Sequence, residues 1–128
     1  MKIAVALKGT TAQSEVDSRF GRCAYFLFYD TETEAHSVLK NPAGQASGGA
    51  GTQAAQWLAD QDAQVVIAAE FGPKAISALD SGGLQTYLVG AGTGEQAVED
   101  FLQGRLKRAA PSGGRGRGQG RGRGRSGV

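Results

Sequence analysis

Five consecutive apolar residues, Ile3-Ala-Val-Ala-Leu7, stand near the start of the chain. A short unbroken apolar run is the mark of a strand buried on both faces. Val65-Val-Ile-Ala-Ala69 repeats the pattern, and Leu84 to Val89 reads as a further strand. The stretches between and after them have helical spacing. Ala50, Ala54, Trp57 and Leu58 predict a helix running to about Gln61. Gly72-Pro73 opens a second, with proline at the first helical position, where its missing N–H costs nothing. Ala75, Ile76 and Leu79 give its inner stripe, and Gly82-Gly83 stop it. Thr93 and Gln96 make a capping box for a third helix, with Ala97, Val98, Phe101 and Leu102 as its apolar face and Gly104 as its end. Buried strands alternating with helices require right-handed parallel crossovers, and that restricts the chain to an α/β architecture.

The part between the first strand and the first helix follows another rule. Residues 9–22 are polar and aperiodic, a loop. Ala24 to Tyr29 is aromatic and strand-like, Asp30 to Glu34 is a turn, and His36 to Lys40 returns as the second arm of a hairpin. The predicted fold is α/β: a mixed five-stranded sheet with its second strand antiparallel, flanked by three helices, in one domain over residues 1–108.

Charge divides the chain at the same boundary. Residues 1–108 hold nine Lys and Arg against twelve Asp and Glu, a net −3, whereas residues 109–128 hold five Arg and no acid, +5. A uniformly basic nucleic-acid-binding domain is therefore excluded. The tail, AAPSGGRGRGQGRGRGRSGV, has too little apolar surface to offset its ordering entropy, and disorder is expected there. Its arginines suit weak binding of nucleic acid or another polyanion without sequence preference; a solubilising extension is the plainer alternative. No apolar run approaches the roughly 18–20 residues of a membrane span, and none at the start matches a secretory leader. The single cysteine, Cys23, permits no internal disulfide, so the cytoplasm is expected.

Tracing strand directions brings the special loops together. With the second strand antiparallel, Cys23, the loop Ser47-Gly-Gly-Ala-Gly51, the segment Glu70 to Lys74 and the loop Gly90 to Gly94 all fall at the carboxyl edge of the parallel strands. Open α/β sheets bind ligands there. Three helix N-termini point into that edge with free N–H groups and partial positive charge. Gly48, Gly49, Gly51 and Gly72 allow close approach to the backbone. Lys8, Arg19, Arg22 and Lys74 add cations, and Cys23 adds a soft ligand. Such an edge suits an anion, including one that carries a thiophilic metal.

Catalytic patterns are missing. Gly90-Ala-Gly-Thr-Gly94 lacks the dinucleotide spacing and follows the last strand rather than the first, and no Walker lysine follows any glycine loop. A two-metal nuclease wants carboxylates on central strands, and Ile3–Leu7 and Val65–Ala69 carry none. His36 falls far from Cys23. No enzyme activity is expected.

Several of these residues also carry a resemblance. The opening MKIAVA, the run Asp17-Ser-Arg-Phe-Gly-Arg-Cys-Ala-Tyr-Phe26, Asp30, Asn41, Gly48-Gly-Ala-Gly51 and Phe71-Gly-Pro-Lys-Ala75 resemble the dinitrogenase iron–molybdenum cofactor biosynthesis family, of the NifX, NafY and NifB C-terminal-domain type. The likeness covers about residues 1–106. It implies a ribonuclease H-like fold without nuclease carboxylates. It also implies a carrier of an iron–sulfur or molybdenum-containing cluster, working between donor and acceptor proteins. The expected cofactor-binding residues are Arg19, Gly21, Arg22, Cys23, Gly48, Gly49, Gly51, Thr52, Gly72 and Lys74, with Cys23 as metal ligand. One thiol cannot complete a cluster's ligand set, so sulfide, another ligand or a second subunit would have to supply the rest. Two other readings stand beside this one: a nucleic-acid-associated protein that binds through its tail, and a binder of a small phosphorylated ligand.

Overall fold

The computed structural model describes residues 1–109. Its elements are β1 (Lys2–Leu7), β2 (Tyr25–Asp30), β3 (His36–Lys40), α1 (Ala50–Asp60), β4 (Val65–Ala68), α2 (Pro73–Ser81), β5 (Gln85–Leu88), α3 (Gly94–Leu102) and β6 (Lys107–Arg108). The strands form one sheet in the order β3-β2-β1-β4-β5-β6. β1, β4 and β5 are mutually parallel, and β2 runs antiparallel to β1. The three helices fall where their periodicity puts them. The sheet has six strands, not five: β6 pairs antiparallel to β5, Tyr87 opposite Arg108 and Leu88 opposite Lys107. Ala109, assigned above to the tail, is buried and donates its N–H to the Thr86 carbonyl at 2.9 Å. The expectations of disorder and polyanion binding fall on residues 110–128, outside the described residues.

Register decides which side chains enter which core. Opposite β1, residues Ile3, Val5 and Leu7 pair with Tyr29, Leu27 and Tyr25, while Ala4 and Ala6 pair with Phe28 and Phe26. The alanine face packs under α1 and α2, with Phe20, Phe26, Leu58 and Leu79 filling the space that small residues leave. The branched face packs under α3, against Ala97 and Val98. Alanine on β1 thus makes room for the aromatic residues of β2 on the two-helix side, an alternation of small and large that keeps the interior dense. No helix among the described residues is long and apolar enough to cross a membrane.

Candidate functional site

The stretch between β1 and β2 has no regular structure, yet buried polar groups hold it. The Asp17 N–H donates to the Ala6 carbonyl at 2.9 Å, which brings the chain back alongside β1. The Asp17 side chain is buried, and its Oδ1 accepts from the Arg19 N–H at 2.9 Å and from Arg19 Nε at 3.4 Å. A buried carboxylate without such partners would be strongly destabilising. Phe20 anchors the middle of the loop, its ring 5.6 Å from Phe26 and 5.3 Å from Phe71. Asn41 fastens the far end. Its Nδ2 donates to the carbonyls of Gly21 at 3.1 Å and Cys23 at 2.9 Å, and its Oδ1 accepts the Ala43 N–H at 3.0 Å. Arg22 Nη1 donates to the Ala46 carbonyl.

The loop Ser18–Arg22, held in this way, stands between two cavities. One, of about 480 Å³, lies against the starts of α1 and α2 and is lined by Arg19, Gly21, Arg22, Gly49, Gly51, Thr52, Glu70, Gly72 and Lys74. The other, of about 540 Å³, lies at the start of β2 and the end of β3 and is lined by Lys8, Asp17, Arg19, Arg22, Cys23, Tyr25, Lys40 and Asn41. Nine of the ten expected site residues therefore border one cavity or the other. Gly48 borders neither; its carbonyl accepts from Gln53 Nε2 at 3.5 Å. His36 sits opposite Tyr29 at the remote end of the hairpin, away from Cys23 and the glycine loop.

The helix starts differ in what they leave free. The N-caps of α1 and α2, Gly49 and Gly72, supply no side-chain hydrogen bond, and neither helix has an acid in its first turn. Their first-turn N–H groups and the positive end of each helix dipole are uncompensated. α3 is the opposite case. Gln96 N donates to Thr93 Oγ1 at 3.1 Å, and Thr93 N donates to Gln96 Oε1 at 3.3 Å. The N–H groups of Gly94 and Glu95 go to the carbonyls of Ser14 and Ala12, at 3.0 and 2.8 Å. So two helix N-termini face the site, not three, and the loop Gly90–Gly94 lines neither cavity. Among the described residues, Arg22, Lys40 and Lys74 have no carboxylate within ion-pair distance, whereas Lys8 faces Glu15 and Arg19 faces Asp17.

Cys23 is the one expected site residue that is buried. It borders the larger cavity but exposes no surface and belongs to the core beneath α1 and α2. Burial, and then the Asp17 carboxylate, push its thiol up to about 12, against the opposing pull of the Leu7 N–H and the Asn41 amide. A neutral, enclosed thiol packs as a small hydrophobe, and a metal that used it as a ligand would have to displace its proton. Among the described residues, no group of three or more His, Cys, Asp and Glu could hold a metal ion. Lys40 and Tyr25 were missed as lining residues. They face each other across the hairpin register, the signal that could have found them.

A family model described as dinitrogenase iron–molybdenum cofactor matches residues 1–104. Among solved structures, the apo form of the orange protein from Desulfovibrio gigas is 40% identical, with a TM-score of 0.81, over 86% of this chain and 93% of that one. A NifB-like protein of Thermotoga from the DUF35 family is 32% identical, with a TM-score of 0.75, over 84% of this chain and 91% of that one. An uncharacterized protein of Methanocaldococcus jannaschii is 26% identical over 111 residues, 84% of this chain and 91% of its own length.

Proposed function

The chain belongs to the dinitrogenase iron–molybdenum cofactor family, and from that premise we propose that it is a non-enzymatic carrier of an anionic metal–sulfur cluster, iron–sulfur or molybdenum-containing, taken from a donor protein and passed to an acceptor. One observation carries the reading. Two uncapped helix N-termini and three cations, Arg19, Arg22 and Lys74, converge on one cavity whose walls include Gly21, Gly49, Gly51 and Gly72. An anion there meets backbone N–H groups at the starts of α1 and α2, and the glycines leave that backbone accessible. Each helix end contributes about 0.3–1 kcal/mol to holding a negative charge, more where the geometry is partly buried.

The donor set limits the kind of cargo. With no group of three or more potential metal ligands among the described residues, and with its one thiol enclosed, the protein is suited to a cluster that brings its own sulfides and is held from outside by charge and hydrogen bonds. The central strands β1 and β4 carry no carboxylate, which favours binding over hydrolysis. The order β3-β2-β1-β4-β5, with only β2 reversed among these five, supports the ribonuclease H-like class, to which β6 is an addition.

Tetrathiomolybdate, a soluble metal–sulfur dianion, tests the reading by titration under anaerobic conditions, alongside metal analysis of the protein as purified. Binding near one equivalent is expected. It should weaken at least tenfold when Arg22→Ala and Lys74→Ala are combined, and stay within twofold in Cys23→Ala. Undiminished binding in the double variant, or none in the native chain, overturns the proposal.

A further inference from the structure

The cargo described above leaves the second cavity unused. This groove is the larger of the two, about 540 Å³, and four cationic side chains line it, Lys8, Arg19, Arg22 and Lys40, against one carboxylate, Asp17. That carboxylate is engaged with Arg19 at 3.4 Å, and Lys8 faces Glu15 at 3.6 Å. Lys40 and Arg22 have no carboxylate partner among the described residues. The Asn41 amide on the groove wall is already committed to the Gly21 and Cys23 carbonyls. What remains to recognise a ligand is chiefly positive charge, with the polar side chains of Ser18, Tyr25 and Gln45 beside it.

The neighbouring element says what kind of ligand. β3 is the edge of the sheet, and four of its five residues are exposed. An edge strand presents backbone N–H and C=O groups that a second polypeptide can pair with. Its last residue is Lys40, on the groove. We propose that this groove docks an acidic segment of the protein that receives the cargo, extended along β3 with its carboxylates on Lys40, Arg22 and Arg19. The inference rests on the carrier reading. It adds the partner's chemistry and a means of release. Arg19 and Arg22 line both cavities, so a carboxylate that draws them into the groove removes them from the cargo. The two ligands then weaken each other by the same factor, as linkage requires.

The test uses the ¹⁵N-labelled full chain and a hexaglutamate peptide, with no metal present. Amide shifts are expected from His36 to Gln45 and at Tyr25, diminishing with salt. Lys40→Glu should weaken the peptide at least tenfold, while Lys107→Glu, of equal charge change on β6, stays within twofold. Loading with tetrathiomolybdate should weaken the peptide about fivefold or more, and the peptide should weaken tetrathiomolybdate equally. Shifts centred on Gly49–Thr52 and Gly72–Ala75, an unaffected Lys40→Glu variant, or citrate binding as tightly as the peptide would each overturn the proposal. Hexaglutamate on the groove with no tetrathiomolybdate binding would keep the docking surface and refute the carrier reading, so the two failures are distinct.

Discussion

Gly21 shows how far the absence of a side chain can position a loop. A Cβ built there lies 2.6 Å from both the N and the Cα of Gly51, and backbone on a helix cannot yield as a flexible side chain can. Gly21→Ala should lift the loop Ser18–Arg22 off the start of α1, cost about 1–3 kcal/mol as overpacking does, and weaken tetrathiomolybdate binding. Chemical denaturation and titration of the same variant check both effects. Cys23 acts through its proton instead. Its thiol is held at about 12 in the folded chain, above the ordinary 9.0. Between those values the folded chain keeps a proton that the unfolded chain releases, so stability falls as pH rises through that window. Cys23→Ala removes this dependence. Its urea-unfolding stability should fall less steeply than the native chain's, by about one bound proton, between pH 9 and about 12. Below pH 9 the variant should differ only by a packing loss of about 1 kcal/mol.

At the scale of elements, the start of α2 is the most informative place to intervene. Gly72 has the extended backbone of an N-cap, φ −73° and ψ 161°, and its Cβ position is open. Gly72→Asp supplies the missing cap and complements the dipole, a gain of about 0.3–1 kcal/mol. It also places a carboxylate in the cavity proposed for an anion. The melting temperature should rise slightly while tetrathiomolybdate affinity collapses, a split that thermal denaturation and titration together detect. The same elements mark what could be read without coordinates. Ile3–Leu7 and Val65–Ala69 declare buried strands because their apolar runs are too short for a helix and rich in β-branched residues, and Thr93 with Gln96 declares its cap. β6 carries no such signal. Lys107 and Arg108 are exposed and charged, and they form a strand only because β5 offers a free edge and the Tyr87 ring lies 5.5 Å from the Arg108 guanidinium. The site was half legible for a similar reason. Glycines and cations can be counted from residue types. The sealing of α3 depends on the Ser14 and Ala12 carbonyls, which an aperiodic loop delivers. The burial of Cys23 depends on the same loop's return along β1.

For the molecule as a whole, charge is distributed along the sheet. The cavities hold Lys8, Arg19, Arg22, Lys40 and Lys74 at one end. Asp30 closes β2 at the other end, Glu32 and Glu34 follow in the hairpin turn, and Asp60, Asp62 and Asp80 lie at or just past the ends of α1 and α2. β6 runs toward that acidic end, and neither it nor Ala109 lines either cavity. A chain ending at Ala109 should therefore keep the melting temperature and the tetrathiomolybdate affinity of the full chain. One ending at Gly104 should melt lower, because it loses β6 and the Thr86–Ala109 hydrogen bonds. The lining of the two cavities has a further property: every residue in it falls between Lys8 and Ala75. On a ribosome adding roughly 5–20 residues per second, all of those residues are made seconds before α3. Until α3 arrives, the branched face of β1 and β4 has no cover. Until then the newborn chain carries the groups proposed to bind an anion on an unfinished scaffold, and the proposed cargo would find its finished site only once α3 has closed the sheet.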